Sequence, residues 1–319
     1  MLNINKQKGL PSHGGGEEGG AIFSNNIWTE DRLQPATICF ANGKITELLF
    51  EKTDDAADFG NAIIMPGCID AHVHVNEPGR TNWEGFDTAT QAAAAGGITT
   101  IVDMPLNASP VTTTAAAFEQ KLRTAEGNLH VNAGFYGGVV PGNEHEIEKL
   151  CQAGVFGIKA FLTHSGIDEF PNVGKEELER IMPVLKKCGK PLLVHCELTD
   201  DKHAAALAQS PSSYMAYLQS RPNKWEDDAV AMMIELCRKH RCKTHIVHVA
   251  SAAALVMIDA AKLSGLPITA ETCPHYLFFN AEEVQDANTL YKCAPTVRDK
   301  KNNDLLKQAY QGGIFDLIA

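Results

Sequence analysis

The sequence contains no run of about 18 apolar residues, so nothing in it reads as a membrane span, and Met1 to Gly20 lacks the apolar stretch of a signal peptide. No basic run occurs either. The 28 basic and 39 acidic residues leave a formal net charge of −11, which argues against a nucleic-acid partner because phosphate binding needs clustered positive charge. No CxxC pair exists among the nine cysteines, an odd number scattered through apolar segments, so they read as reduced core residues rather than disulfides or a zinc knuckle. Together these absences point to a cytoplasmic protein in a reducing compartment. What is abundant is apolar residue: at 44% hydrophobic and 21% charged, 319 residues can bury a large core, and disorder as the main state is excluded.

Gly9 to Gly20 is half glycine and has too little to bury to offset its chain entropy, so residues 1–20 are expected to form a flexible tail. Ala36 to Phe40 and Lys44 to Phe50 are β-rich runs joined through Asn42-Gly43, a dipeptide that tolerates the positive φ angles of a tight hairpin. Residues 21–62 therefore form a small β unit, separate from the remainder of the chain. From Ile63 onward short apolar runs alternate with helical stretches, the mark of repeated β-α units. Strand candidates are Ile63 to Val75, Ile98 to Pro105, Val131 to Val139, Phe156 to Thr163, Pro191 to Glu197, Thr244 to Ser251, Ile268 to His275 and Phe315 to Ala319. Eight such units over roughly 250 residues predict an α/β fold of the (β/α)8 TIM-barrel type across 63–319. A doubly wound open sheet fits less well. No Gly-rich phosphate loop comes after the first strand, and polar residues sit at the C-terminal ends of many strands rather than at one switch point.

His72 and His74 stand two apart on the first strand, which puts both imidazoles on one face at the barrel mouth. Their apolar flanks, Ile69, Val73 and Val75, favour a metal-ligand pair over solvent-facing histidines on an edge strand. Asp70, on the same face and one step deeper, could accept a hydrogen bond from a ligand imidazole or ligate directly. Lys159 lies inside the apolar run Val155 to Leu162. A lone ammonium there is costly, so three readings stand: a Schiff-base amine, a CO2-derived carbamate able to bridge two cations, or a lysine that snorkels outward or pairs with a carboxylate. His195 and His248 also fall near strand C-termini, and a Schiff-base enzyme has no need of four histidines. His245, three positions before His248, should face the opposite way and pack against a helix.

The run Pro66-Gly67-Cys68-Ile69-Asp70-Ala71-His72-Val73-His74-Val75-Asn76-Glu77-Pro78-Gly79-Arg80 resembles the opening motif of the cyclic amidohydrolases, the group of dihydroorotases, hydantoinases and allantoinases. Agreement extends from about Ile22 to Ala319, through Gly157 to Phe161, Val194 to Glu197, Glu271 to His275 and Lys292 to Pro295. Thr81 to Phe86 and Asp103 to Asn107 carry a narrower likeness to the allantoinases. The resemblance implies a barrel with a β-sandwich portion, in which His72 and His74 bind one divalent cation and His195 and His248 a second. Lys159 as its carbamate would bridge the two. Zinc stands foremost, and manganese, cobalt and iron also suit these donors. Dihydroorotases place an arginine two positions after the second histidine, where this chain has Asn76, which suits a neutral ring better. Hydantoinases place a tyrosine five residues after the lysine, where this chain has His164. Asn76, Asn107, His164 and the backbone at Ala294 are thus the candidates for holding a small cyclic ureide, and the group implies a homotetramer.

In this group a proton donor to the departing nitrogen comes from an aspartate at the end of strand eight. Phe315 to Ala319 resembles the run leading to it, with Asp316 too early to serve, so the expectation is a fragment of a longer hydrolase, cut within strand eight. The expected reaction is hydrolysis of the cyclic amide of allantoin. A Schiff-base lyase and a non-catalytic scaffold relative are the readings of another class.

Overall fold

A computed structural model describes residues 19–200, 203, 207 and 210–319. The expected tail lies outside the described residues up to position 18, whereas Gly19 and Gly20 open strand β1 (Gly19–Thr29). β1 pairs antiparallel with β2 (Arg32–Ala41), and β2 with β3 (Lys44–Leu49). Both hairpins turn through two residues of positive φ, Glu30 and Asp31 in the first, Asn42 (51°) and Gly43 (71°) in the second. That geometry matches the right-handed twist of the flanking strands, and it bears out the Asn-Gly turn. The short strands β4 (Ala57–Asp58) and β5 (Ile63–Ile64) add parallel to β1 and complete a five-stranded sheet.

The first barrel strand thus does not begin at Ile63 as the apolar pattern suggested. Pro66 lacks a ladder donor, and the chain breaks between β5 and β6 (Cys68–Val73). From β6 the strands run parallel in chain order. They are β7 (Ile98–Asp103), β8 (Asn132–Phe135), β9 (Gly137–Gly138), β10 (Ile158–Phe161), β11 (Leu192–His195), β12 (Thr244–Ile246), β13 (Ile268–Thr272) and β14 (Leu317–Ile318). β8 pairs with β7 and β9 with β10, and Tyr136 between them still donates to the Asp103 carbonyl (2.9 Å), so β8 and β9 act as one strand. Helices fill the crossovers, giving the β-α alternation of a TIM-type barrel. Among the described residues no ladder joins β14 to β6.

Alternation along the strands sorts the side chains into two layers. Ile158, Ala160, Leu192, Val194, Ile246 and Ala270 pack outward with helix residues such as Ile181, Leu185, Val230 and Ile258. Phe161, Leu193 and Val247, one position out of step, join Val102, Tyr136 and Phe170 in a second, inner cluster. Each fully buried Ile or Leu contributes roughly 1.5–3 kcal/mol. The helix Lys175–Cys188 shows how the outer layer is fixed: the Glu177 carboxylate accepts from Gly174 N (2.9 Å) at its start, Leu178, Ile181, Met182 and Leu185 form its buried stripe, and Gly189 (φ 70°) ends it. No helix among the described residues is long and apolar enough to cross a membrane.

Candidate metal centre

The same alternation carries Lys159 and His195 to the inner side of β10 and β11, in register neighbours of Leu193 and Phe161. His195 stacks on Phe161 (centroids 4.7 Å, planes 17° apart), and the Lys159 amine lies 5.0 Å from the same ring. Four histidine rings follow one another around the space beside this lysine. His74 lies 5.4 Å from His72, His72 lies 5.5 Å from His248, and His248 lies 4.7 Å from His195, centroid to centroid. The residues singled out from four separate strands are therefore brought together. His195 and Lys159 are buried, His72 and His248 partly so, and His74 is exposed at the mouth.

Each of three imidazoles has one nitrogen tied to an acceptor, which fixes where its proton sits. His74 Nδ1 meets the Leu106 carbonyl (2.9 Å), His72 Nδ1 meets Glu271 Oε1, and His195 Nε2 meets Glu197 Oε2 (2.7 Å). The remaining nitrogens, Nε2 of His72 and His74 and Nδ1 of His195, are left as lone pairs. His195 Nδ1 stands 3.1 Å from His248 Nε2, while His248 Nδ1 and Lys159 Nζ are buried without a hydrogen-bond partner among the described residues. His248 reaches this position with φ of 39°, in the left-handed region where histidine is one of the more tolerant residues.

Burial sets the electrostatics. It pushes Lys159 down to about 7, only partly opposed by Glu271, so much of the amine is neutral at neutral pH. Burial likewise lowers His72, His195 and His248, and the Lys159 charge adds to this in each case. Neutral imidazoles are the ligand form. Burial would raise Glu197, but its bonds to His195 and Arg221 outweigh it and hold the carboxyl down at about 2. Glu271 is held low in the same way, by His245 and His72. Among the described residues no trio of His, Cys, Asp and Glu forms a ready-made metal cage. The fit to a cation lies in the donor chemistry: imidazole lone pairs with tied opposite nitrogens, around an unpartnered amine.

Other expected residues lie around this ring with different partners. Asp70 accepts from the His72 backbone amide (3.1 Å) and not from an imidazole; Glu271 holds the His72 ring instead. Asn76 is half-buried with its side-chain oxygen unpartnered among the described residues, and Asn107 is half-buried with its carbonyl held by Arg80 (2.6 Å). His164 and Ala294 are exposed, His164 facing Asp168 at 3.4 Å. Asp316 is bonded to the Ala270 amide (2.8 Å) and to Lys262, with no histidine among its partners in the described residues. His245 departs from the sequence expectation. It does not pack against a helix but lies inside, with Nε2 3.1 Å from Glu271 Oε2 and Nδ1 2.7 Å from Thr269 Oγ1. Strand β12 ends at Ile246, so the two-residue period stops before His248, whose left-handed backbone turns its ring back to the same side. Glu197, Arg221 and Glu271 were also missed. The sequence flags Glu197 and Glu271 only as charges that interrupt an apolar strand run, as Lys159 does, and carries no sign of their partners.

The amidohydrolase family pattern matches residues 63–293. An allantoinase of Streptomyces avermitilis is 44% identical over 303 residues, covering 93% of this chain and 68% of that protein. The allantoinase of Saccharomyces cerevisiae is 41% identical, covering 93% and 69%, and a mitochondrial allantoinase of Aquarana catesbeiana is 40% identical, covering 99% and 66%. The chain thus spans about two thirds of the length of the curated relatives it matches. Among solved structures, the L-hydantoinase of Arthrobacter aurescens superimposes with a TM-score of 0.86 at 28% identity, over 93% of this chain and 68% of that one. The chain belongs to the amidohydrolase family and groups with its allantoinases.

Proposed function

We propose that this chain carries the metal centre of an enzyme that hydrolyses the cyclic amide bond of allantoin to allantoate, using two divalent cations, zinc foremost. His72 and His74 would hold one and His195 and His248 the other, with a carbamate on Lys159 between them. The observation that carries this reading is the buried, unpartnered Lys159 amine with four histidines around it, two of them pinned by buried carboxylates. An amine brought down to about 7 is in part neutral at neutral pH, and the neutral form can attack CO2. A C–N bond forms as one C–O π bond of CO2 opens onto oxygen, one proton leaves the nitrogen, and the anionic carbamate offers two oxygens where an ammonium offered none. Cations bound there supply Lewis acidity toward a ring carbonyl and activate water near neutral pH.

The protein's own part is to orient and to hold. Asn76, Asn107, His164 and the Ala294 backbone are proposed to hold the ureide, Asn76 through the side-chain oxygen left without a partner among the described residues. A neutral amide at that position favours an uncharged ring over one bearing a carboxylate. The assembly proposed is a homotetramer, and the setting cytoplasmic. The test is to supply the purified protein with zinc and bicarbonate. Two metal equivalents are expected, with any ring turnover falling on allantoin in preference to dihydroorotate or hydantoin. No metal uptake, or turnover of the other rings in preference to allantoin, would overturn the reading.

A further inference from the structure

Glu271 is a buried carboxylate of the barrel interior that meets three separate residues, and nothing in the proposed hydrolysis requires it. Its Oε1 faces His72 Nδ1 and the His248 amide (3.3 Å); its Oε2 faces His245 Nε2 (3.1 Å). The residue is 1% exposed and lies on β13, directly beside β12. Every proton in this set has one consistent place. A carboxylate only accepts, so His72 must carry its proton on Nδ1 and His245 on Nε2. His245 Nδ1 is then an acceptor, and the Thr269 hydroxyl donates to it across 2.7 Å. The result is a directed chain, Thr269 to His245 to Glu271 from one side and His72 to Glu271 from the other.

We propose that Glu271, braced by His245, is the positioning residue of the centre: it locks His72 in the tautomer whose free lone pair is Nε2, and through the His248 amide it fixes the turn that carries the opposite ligand. One carboxylate thus couples ligands from the two halves of the ligand set, His72 on the first barrel strand and His248 after β12. The inference rests on the metal reading above for its consequence, but its core, the His72 tautomer, does not require a metal. His195 has its own brace in Glu197 and Arg221, and His74 has the Leu106 carbonyl. Glu271 holds the ring of His72 but only the backbone amide of His248 (3.3 Å), so its loss acts more strongly on the cation position of His72.

The experiment uses the whole protein labelled with 15N-histidine, read by long-range proton–nitrogen correlation without metal, with His72 assigned from the His72→Gln variant. Wild type is expected to show His72 protonated on Nδ1 and His245 on Nε2. In Glu271→Gln the side chain can accept from only one of the two, and one of these signals is expected to change tautomer. Zinc titration of the same variant is expected to weaken one of two equivalents about 10- to 100-fold, with the other within about threefold. His245→Leu keeps Glu271 and removes its brace, and is expected to weaken the same equivalent about 3- to 10-fold; it supplies the readout if Glu271→Gln fails to fold. Nε2-protonated His72 in wild type, or a folded variant with unchanged tautomers and unchanged zinc binding, would overturn the inference. A wild type that shows the expected tautomers but binds no zinc would overturn the proposed function and leave the positioning role of Glu271 standing.

Discussion

At the scale of single residues, Lys159 is the position where stability and function pull apart. An amine buried without a partner among the described residues disfavours the folded chain, because its desolvation is not repaid by hydrogen bonds. Methionine has nearly the same length and no polar head. Lys159→Met is therefore expected to stabilise the metal-free protein by about 1–3 kcal/mol in denaturant titration. The same change is expected to cut zinc uptake from two equivalents to at most one and to abolish any response of uptake to bicarbonate. A variant that is destabilised, or that still takes two zincs, would contradict the role given to the amine. The metal-centre histidines and the lysine were legible from sequence because each interrupts an apolar strand or sits at its end. Their supports were not: Glu197 and Glu271 act through contacts 24 and 199 positions away, with Arg221 and His72, and no local pattern encodes such pairs.

At the scale of elements, β6, β7 and the helix Ala115–Ala125 meet at one buried ion pair. Asp103, at the end of β7, accepts from Val75 N (2.7 Å) just beyond His74, and its other oxygen lies 2.5 Å from Lys121 on the helix. Lys121 also reaches the Met104 carbonyl (3.2 Å), and both charged side chains are almost fully buried. Removing one partner strands the other charge. Asp103→Ala is expected to cost about 3–5 kcal/mol of unfolding free energy, and the double change Asp103→Leu with Lys121→Met to recover most of it. Equal losses in the single and double variants would show that the pair does not act as a unit. The strands themselves were visible as alternating apolar runs, and the Asn42-Gly43 hairpin as a turn dipeptide. Two features escaped. β1 opens on two glycines, which composition assigns to a tail, and the parity argument for His245 failed because β12 is only three residues long.

At the scale of the whole molecule, a buried carboxylate and the proposed cations each tie distant parts of the chain together. Glu226, on the helix Asn223–His240, accepts from Ala250 N (2.7 Å) and Ser251 N (3.0 Å) after β12 and lies 3.4 Å from Arg298. Burial, only partly offset by Arg298, raises its carboxyl to about 7, against an ordinary value of 4.5. The folded chain then binds more protons than the unfolded one between these values, so this group lowers stability as pH rises from about 4.5 to 7. Relative to Glu226→Gln, wild type should lose at most about 3 kcal/mol over that window in denaturant titrations, and a parallel pH profile for the two would refute it. Metal linkage acts on a different part of the molecule. The proposed ligands lie on or just beyond β6, β10, β11 and β12, and among the described residues no ladder closes β6 onto β14. A bound cation would therefore tie the opening strand directly to β10, β11 and the turn after β12, which its backbone hydrogen bonds reach only by way of β7, β8 and β9. Any species that binds only the folded chain stabilises it by RT ln(1 + [L]/Kd), about 2.7 kcal/mol at a hundredfold excess over Kd. Zinc with bicarbonate should raise the unfolding midpoint by several degrees and a chelator should reverse it. Hydrogen exchange locates the effect: protection gained at Cys68–Val73 as well as Leu192–His195 is expected of such a tie. Protection confined to the Leu192–His195 side would mean that His72 and His74 take no part in holding the cation.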